Sequence, residues 1–238
     1  DDFSDICFTK SDGTSLLDYW IESYVSGTSA VVWIEFDAIP AHPDDGSFYI
    51  YYNYSSATAA SNGANSFIFF DHFDVDLSKW TGDTAYCSIA SSILTINASA
   101  TFRIIRAAAT GKSTMAMRTK SKVVTQGTLS QYTGFETPTS THRSFIGLEL
   151  GTQPRFYTKD GTTQSGVNTT LTINSYKIWD LLVIAGVNTR FLEDGVEQTN
   201  SPKTTNPANS TAMCPFWSCE GYAYSDWMLV RNYTLNEP

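Results

Sequence analysis

Apolar positions recur at every second residue in short runs along this chain, and turn-forming residues separate the runs. A two-residue period marks strands, whose side chains point alternately to opposite faces. Leu17, Tyr19 and Ile21 share one face of a predicted strand, and Asp18, Trp20 and Glu22 share the other. Residues 5–9 form a strand before it, and the Asp12-Gly13 pair turns the chain between them. Residues 30–36 and 48–54 read as further strands, the latter aromatic on both faces. Residues 55–66 are small and polar and could carry little core, so a domain boundary is placed after residue 66, with a short helical turn at 57–60. Beyond it, residues 93–96, 101–105, 145–150 and 155–158 read as strands, and residues 115–120 alternate again. A hairpin is expected around Gly151–Pro154 and a tight turn at Asp194-Gly195. The fold class is therefore all-β: two tandem antiparallel β-sandwich (jelly-roll) modules, residues 1–66 and 67–238.

Two sets of residues carry family resemblances. Phe69-Phe70-Asp71-His72-Phe73-Asp74 with Leu77-Ser78-Lys79-Trp80, and Ser225-Asp226-Trp227-Met228-Leu229-Val230-Arg231, resemble the first and last strands of a concanavalin-A-like (laminin-G-like) jelly roll. That fold closes by pairing its chain ends, so the two phrases should lie side by side in one antiparallel sheet; residues 176–179 and 190–196, the latter with Asp194-Gly195 at its turn, resemble adjacent strands of the same fold. In the first module, Asp2-Phe3-Ser4-Asp5-Ile6, Leu16-Leu17-Asp18-Tyr19-Trp20-Ile21-Glu22-Ser23, Val32-Trp33, Tyr49-Ile50-Tyr51-Tyr52 and Ala60-Ser61-Asn62-Gly63 resemble a domain of unknown function of secreted archaeal and bacterial proteins. Members of that family begin with one or two strands ahead of the Asp-Phe-Ser-Asp phrase. The resemblance thus implies a small module short of its first strands, whose open edge a strand from another copy could fill.

Composition narrows the function classes. Of 238 residues, 42% are hydrophobic, 14% aromatic and only 16% charged, so a packed core is available and strands are favoured over helices. The formal net charge of −9 leaves no basic face for nucleic acid. No apolar run approaches the length of a membrane span.

Four cysteines are present. Cys214 and Cys219 stand close enough in sequence to staple a loop, and Cys7 with Cys87 would form a second pair across the modules; three connectivities are open. Sequons at Asn53, Asn97, Asn168, Asn209 and Asn232 agree with an extracellular glycoprotein.

Catalytic motifs are sparse. Thr110-Gly111-Lys112-Ser113-Thr114 echoes a phosphate-binding loop, but Arg106 stands where the motif needs glycine, and a strand, not a helix, is expected next. His42, His72 and His142 lie in no nucleophile or zinc motif. Glycosidases of the related jelly-roll type carry carboxylates two residues apart on one strand, so that both face the cleft. Here Glu149 stands alone, Glu193-Asp194 falls at a turn, and Asp74-Val75-Asp76 belongs to a loop. The concanavalin-A-like resemblance implies a structural calcium ion at Asp226 and Asp71, beside His72; hard oxygen ligands suit calcium. Sugar rings present apolar faces to flat side chains, which makes Trp217, Tyr222 and Tyr157 the candidate glycan contacts. The reading is a non-catalytic extracellular protein for adhesion or glycan recognition. A strand-exchanging structural subunit is the alternative, and glycoside hydrolysis the remote one. Its partners would be glycans or cell-surface components, and copies of itself.

Overall fold

A computed structural model describes residues 2–40, 46–108, 110, 114–204 and 212–234 of the chain. Two compact units emerge, Asp1–Phe67 and Ile68–Pro238. All sheets among the described residues are antiparallel, and the one α-helix there is a single turn.

In the first unit, β1 (Cys7–Lys10) lies between β2 (Leu16–Leu17) and an edge strand that follows later, while β3 (Tyr19–Val25) and β4 (Ser29–Ile34) form a separate hairpin. The edge strand is β5 (Phe48–Tyr51), and its side chains are exposed on both faces. Ile6, Phe8, Leu17 and Tyr19 make the buried core, against which Phe3, Ile21, Val32 and Ile34 pack. The Tyr19 hydroxyl donates to the Ile6 carbonyl at 2.6 Å, so its polar end is satisfied inside that core. On the opposite face of β3, Trp20 meets Phe67 edge-on, 5.8 Å between ring centres. The helical turn α1 falls at Gly63–Ser66, not at 57–60. Asn62 accepts a hydrogen bond from the Ala64 N–H, and that cap sets where the turn starts.

The second unit is a two-sheet sandwich. Its strands are β6 (Phe69–Asp71), β7 (Trp80–Gly82), β8 (Cys87–Ala90), β9 (Ile93–Asn97), β10 (Arg103–Ala107), β11 (Met115–Val123), β12 (Gln131–Glu136), β13 (His142–Glu149), β14 (Gln153–Asp160), β15 (Thr163–Asn168), β16 (Lys177–Ile184), β17 (Asn188–Glu193), β18 (Val196–Glu197), β19 (Cys214–Cys219) and β20 (Tyr222–Asn232). One sheet runs β15-β14-β13-β12-β19-β10-β7, and the other runs β18-β17-β16-β11-β20-β9-β8 with β6 also on β20. The core between them holds Phe135, Ile146, Phe156, Trp179, Leu181, Phe191, Trp217 and Met228, among others.

The expected closure is present: Phe69, Phe70 and Asp71 pair with Val230, Leu229 and Met228. Asp71 is buried behind this seam, accepting from the Trp80 indole at 2.6 Å and from the Phe73 N–H at 3.0 Å. The Gly151 hairpin and the Asp194-Gly195 turn also fall where they are expected. Strands β7, β8, β12, β15 and β19 were not anticipated.

Strand β19 corrects two expectations. Cys214 and Cys219 occupy its two ends, and an odd separation sends their side chains to opposite faces. They cannot staple a loop, and both thiols are free, as are those of Cys7 and Cys87. Cys214 donates instead to the Glu136 carbonyl and Cys219 to the Gly221 carbonyl. Burial pushes the thiols up, to about 11 for Cys87 and Cys214 and about 12 for Cys219. Trp217 sits between them, not in an exposed loop but in the core, its ring centre 6.3 Å from that of Trp179.

Candidate functional site

Alternation divides β12, β13 and β14 between core and solvent sides. Phe135, Ile146, Leu148 and Phe156 enter the core. The opposite face therefore carries Tyr132, Gly134 and Glu136 from β12, Arg143, Phe145, Gly147 and Glu149 from β13, and Arg155, Tyr157 and Lys159 from β14. On the flanks, Phe216 and Ser218 of β19 and Arg106 of β10 share it.

Aromatic residues on this face are paired with glycines across the strands. Tyr132 pairs with Gly147, Phe145 with Gly134, and Tyr157 with Gly166. Neither Gly134 nor Gly147 has room for a side chain: a Cβ would fall 2.1 Å from the Ser144 carbonyl oxygen and 1.9 Å from that of Gln131. A large ring opposite a glycine covers the backbone that the glycine leaves bare. The result is a continuous platform. Ring centres lie 4.8 Å apart for Tyr132 and Phe145, 4.7 Å for the stacked Phe145 and Tyr157, and 6.0 Å for Phe145 and Phe216. Phe145 and Phe216 are buried, while Tyr132 and Tyr157 are half-buried and offer the accessible ring surface.

Charged groups stand at both ends of the platform. At one end Glu136, fully buried, lies 2.5 Å from Arg106 Nε and 2.8 Å from Arg143 Nε, and accepts from the Ser140 hydroxyl at 3.0 Å. At the other end three neighbouring strands bring Glu149, Ser130 and Glu220 to one level. Ser130 N–H donates to the Glu220 carboxylate at 2.8 Å, and Glu220 N–H donates to the Ser130 carbonyl at 2.8 Å. On the other side of Ser130, its hydroxyl accepts from the Leu150 N–H at 3.2 Å, and Glu149 lies 3.1 Å from Arg155. Glu149 and Glu220 thus flank β12 two strand spacings apart, roughly 9–10 Å between backbones. The Tyr132 hydroxyl stands in the field of both: burial raises its pKa above the usual phenol range, and the two carboxylates add to the rise. Burial raises Tyr157 as well, with Arg143 opposing.

The expected site residues fare unequally. Tyr157 lies on the platform. Trp217 does not, being buried on the core side of β19. Tyr222 is exposed at the start of β20, in the other sheet. Asp71 and Asp226, the residues expected at a calcium ion, each have partners within the protein. Asp71 is engaged by Trp80 and Phe73, whereas Asp226 lies 2.6 Å from Lys120 and 4.0 Å from His72. No group of three or more metal-ligating side chains occurs among the described residues. Asn53, Asn97, Asn168 and Asn232 are exposed, and Asn168 accepts from Arg155 at 3.3 Å. Asn209, His42 and the Gly111–Ser113 part of the loop-like motif lie outside the described residues. No described strand of the second unit carries two carboxylates two residues apart. Glu220 was missed because its partner Glu149 lies on another strand, and only the register brings them level.

A family model described as a domain of unknown function, DUF2341, matches residues 2–83. It runs through the first unit and into β7 of the second. No curated protein matches the chain. Among solved structures, β-agarase A from Zobellia galactanivorans is 13% identical with a TM-score of 0.53, covering 69% of this chain and 90% of its own. A structure from work on endo-acting O-glycanases of the human gut microbiota that initiate mucin breakdown is 11% identical with a TM-score of 0.57, covering 71% of this chain and 100% of its own. The pseudo-β-1,3-glucanase of Mycobacterium tuberculosis is 12% identical with a TM-score of 0.54, covering 73% and 100%. At these identities the likeness shows the fold, a concanavalin-A-like sandwich of the glucanase type. It corrects the expectation of a non-catalytic adhesion or structural protein, because the neighbours are predominantly glycan-cleaving enzymes.

Proposed function

We propose that the second unit is an extracellular, carbohydrate-active domain that binds a polysaccharide along the outer face of β12–β14 and cleaves or transfers a glycosidic bond beside Glu149 and Glu220. The single observation that carries this reading is the placement of two carboxylates on either side of Ser130, at the end of an aromatic platform and in the field of one tyrosine. Glycoside hydrolysis needs one carboxyl group to protonate the leaving oxygen and a second to activate water or attack the sugar. Side chains two strands apart suit the wider separation, roughly 6.5–9.5 Å, that leaves room for a water and inverts the anomeric centre. Tyr132 and Tyr157 would stack on sugar rings and fix the chain across the strands. The fold's glycan-cleaving neighbours support the reaction class. Glycosylation at the exposed sequons and passage to the cell exterior belong to the same proposal.

The test is release of reducing ends from agarose, a β-1,3-glucan, mucin O-glycans and a polyuronate by the intact chain and by Glu149→Gln and Glu220→Gln. Activity in the parent on any of these, lost in both variants while their melting temperatures hold, is the expected result. A folded parent that releases nothing from any of them overturns the proposed reaction.

A further inference from the structure

The Glu136 end of the platform has a charge balance that the rest of the chain does not. The protein carries a formal net charge of −9. Yet around Glu136, Arg106 and Arg143 both face one carboxylate, and Lys159, paired across the strands with Arg143, reaches the Ser140 carbonyl at 3.5 Å. No carboxylate partner of Lys159 occurs among the described residues. Two arginines therefore share one buried anion, and a lysine without a carboxylate partner stands opposite Arg143 on the next strand, on a surface adjoining Tyr157 and Phe145. Along β14 the same face reads Arg155, Tyr157, Lys159, a ring between two cations at successive outward positions, roughly 6.8 Å apart. A protein of this net charge gains nothing from a local cationic surplus for solubility. The surplus is complementary to an anion that arrives with a ligand.

We infer that the polysaccharide bound on this face is acidic, a uronic-acid glycan whose carboxylate docks on Arg143 and Lys159 while its rings lie on Tyr157. This rests on the glycan reading of the same face. A guanidinium matches a planar carboxylate through two parallel N–H bonds. Arg143 lies 2.8 Å from Glu136 through Nε, without a hydrogen bond there, and no contact of its two terminal nitrogens is seen among the described residues; with Lys159 opposite on the next strand, these would take up a second planar carboxylate. The substrate's charge and the cleavage carboxylates then occupy opposite ends of one platform. Acid recognition and bond breaking can be separated by mutation.

The experiment is calorimetric titration of the intact chain carrying Glu149→Gln, so that cleavage does not consume the ligand. Three oligosaccharides of equal length are compared: an oligogalacturonate, its neutral reduced counterpart, and a sulfated oligosaccharide. The expected result is binding of the oligogalacturonate at least tenfold tighter than the neutral chain, weakening as salt rises. Lys159→Gln should remove most of that preference, and Arg143→Lys, which keeps the charge but not the fork, should remove part of it. Because Arg143 contacts a buried carboxylate, the half-buried Lys159 is the variant that holds if Arg143 changes misfold. Equal binding of neutral and acidic chains overturns the inference and leaves the glycan reading standing. Tighter binding of the sulfated chain overturns the carboxylate assignment. Failure of all three to bind overturns both.

Discussion

The two outer faces of the sandwich differ in how their charges are matched. On the eight-stranded sheet cations and carboxylates pair one to one: Arg118 with Asp180, Lys120 with Asp226 and Lys177 with Asp194, each at 2.6 Å, and Arg190 with Glu197 at 2.7 Å. Lys122 lies over Tyr224 and Tyr176, at 4.4 and 5.1 Å from the ring centres. Each charge there has a partner within the protein, as a solvated surface requires. On the seven-stranded sheet, rings face glycines, two arginines share one buried carboxylate beside a lysine bonded only to a backbone carbonyl, and two more carboxylates stand level across a strand. The lesson is that composition alone does not mark a binding face. Both faces are rich in tyrosine and charge, and the difference lies in which groups the protein has already satisfied.

That contrast breaks most sharply in catalysis. Glu149→Gln should lower glycan cleavage about a hundredfold or more, the usual worth of a positioned acid or base, whereas Asp226→Asn on the opposite face should leave it within twofold. Initial rates of reducing-end release from a common polysaccharide check both. An equal loss in the two variants would mean that the faces have been told apart wrongly.

Stability gives the next largest difference. Glu136→Ala leaves two arginines facing an emptied, dry position, and breaking a buried pair by removing one partner costs about 3–5 kcal/mol. Asp226→Ala removes a partly exposed partner and should cost at most about 1 kcal/mol. Urea denaturation of the two variants measures the gap. A smaller effect follows for the platform: Tyr157→Ala should weaken oligosaccharide binding by about 1 kcal/mol, roughly fivefold in Kd, from lost ring contact. Tyr224→Ala should not change it, and titration calorimetry reads both.

The weakest effect is alkaline. Cys214 and Cys219 hold their protons up to about 11 and about 12 because burial disfavours the thiolate. The unfolded chain releases them near the ordinary thiol value, about 8.5. The folded state binds these protons more tightly, so their contribution is intact below pH 8.5 and is lost as pH rises through 11 to 12. Cys219→Ala should flatten the fall in melting temperature over that window, although the cavity it leaves lowers stability at every pH.

Much of the second unit is legible from residues alone. Phe69–Asp71 and Trp227–Val230 are read through their resemblance to the end strands of a jelly roll, and the structure displays their pairing; glycine turns place the Gly151 and Asp194-Gly195 hairpins. The site is less legible for a physical reason. Tyr132 and Phe145 meet because β12 and β13 pair in one register, and the glycines that seat them break the apolar alternation by which β12 would be recognised. Cys214 and Cys219 suggest a stapled loop by their spacing, but Phe216, Trp217 and Ser218 between them alternate between the two faces of a central strand buried on both sides. A six-residue run with both ends cysteine is equally compatible with either form until the neighbouring strands are known.

Which face takes the glycan is measured most directly by hydrogen exchange on the Glu149→Gln chain with and without bound oligogalacturonate. Slowed exchange in residues 130–136, 143–149 and 153–159, with 177–193 and 222–232 unchanged, is the predicted footprint. Protection confined to the eight-stranded sheet would contradict the account.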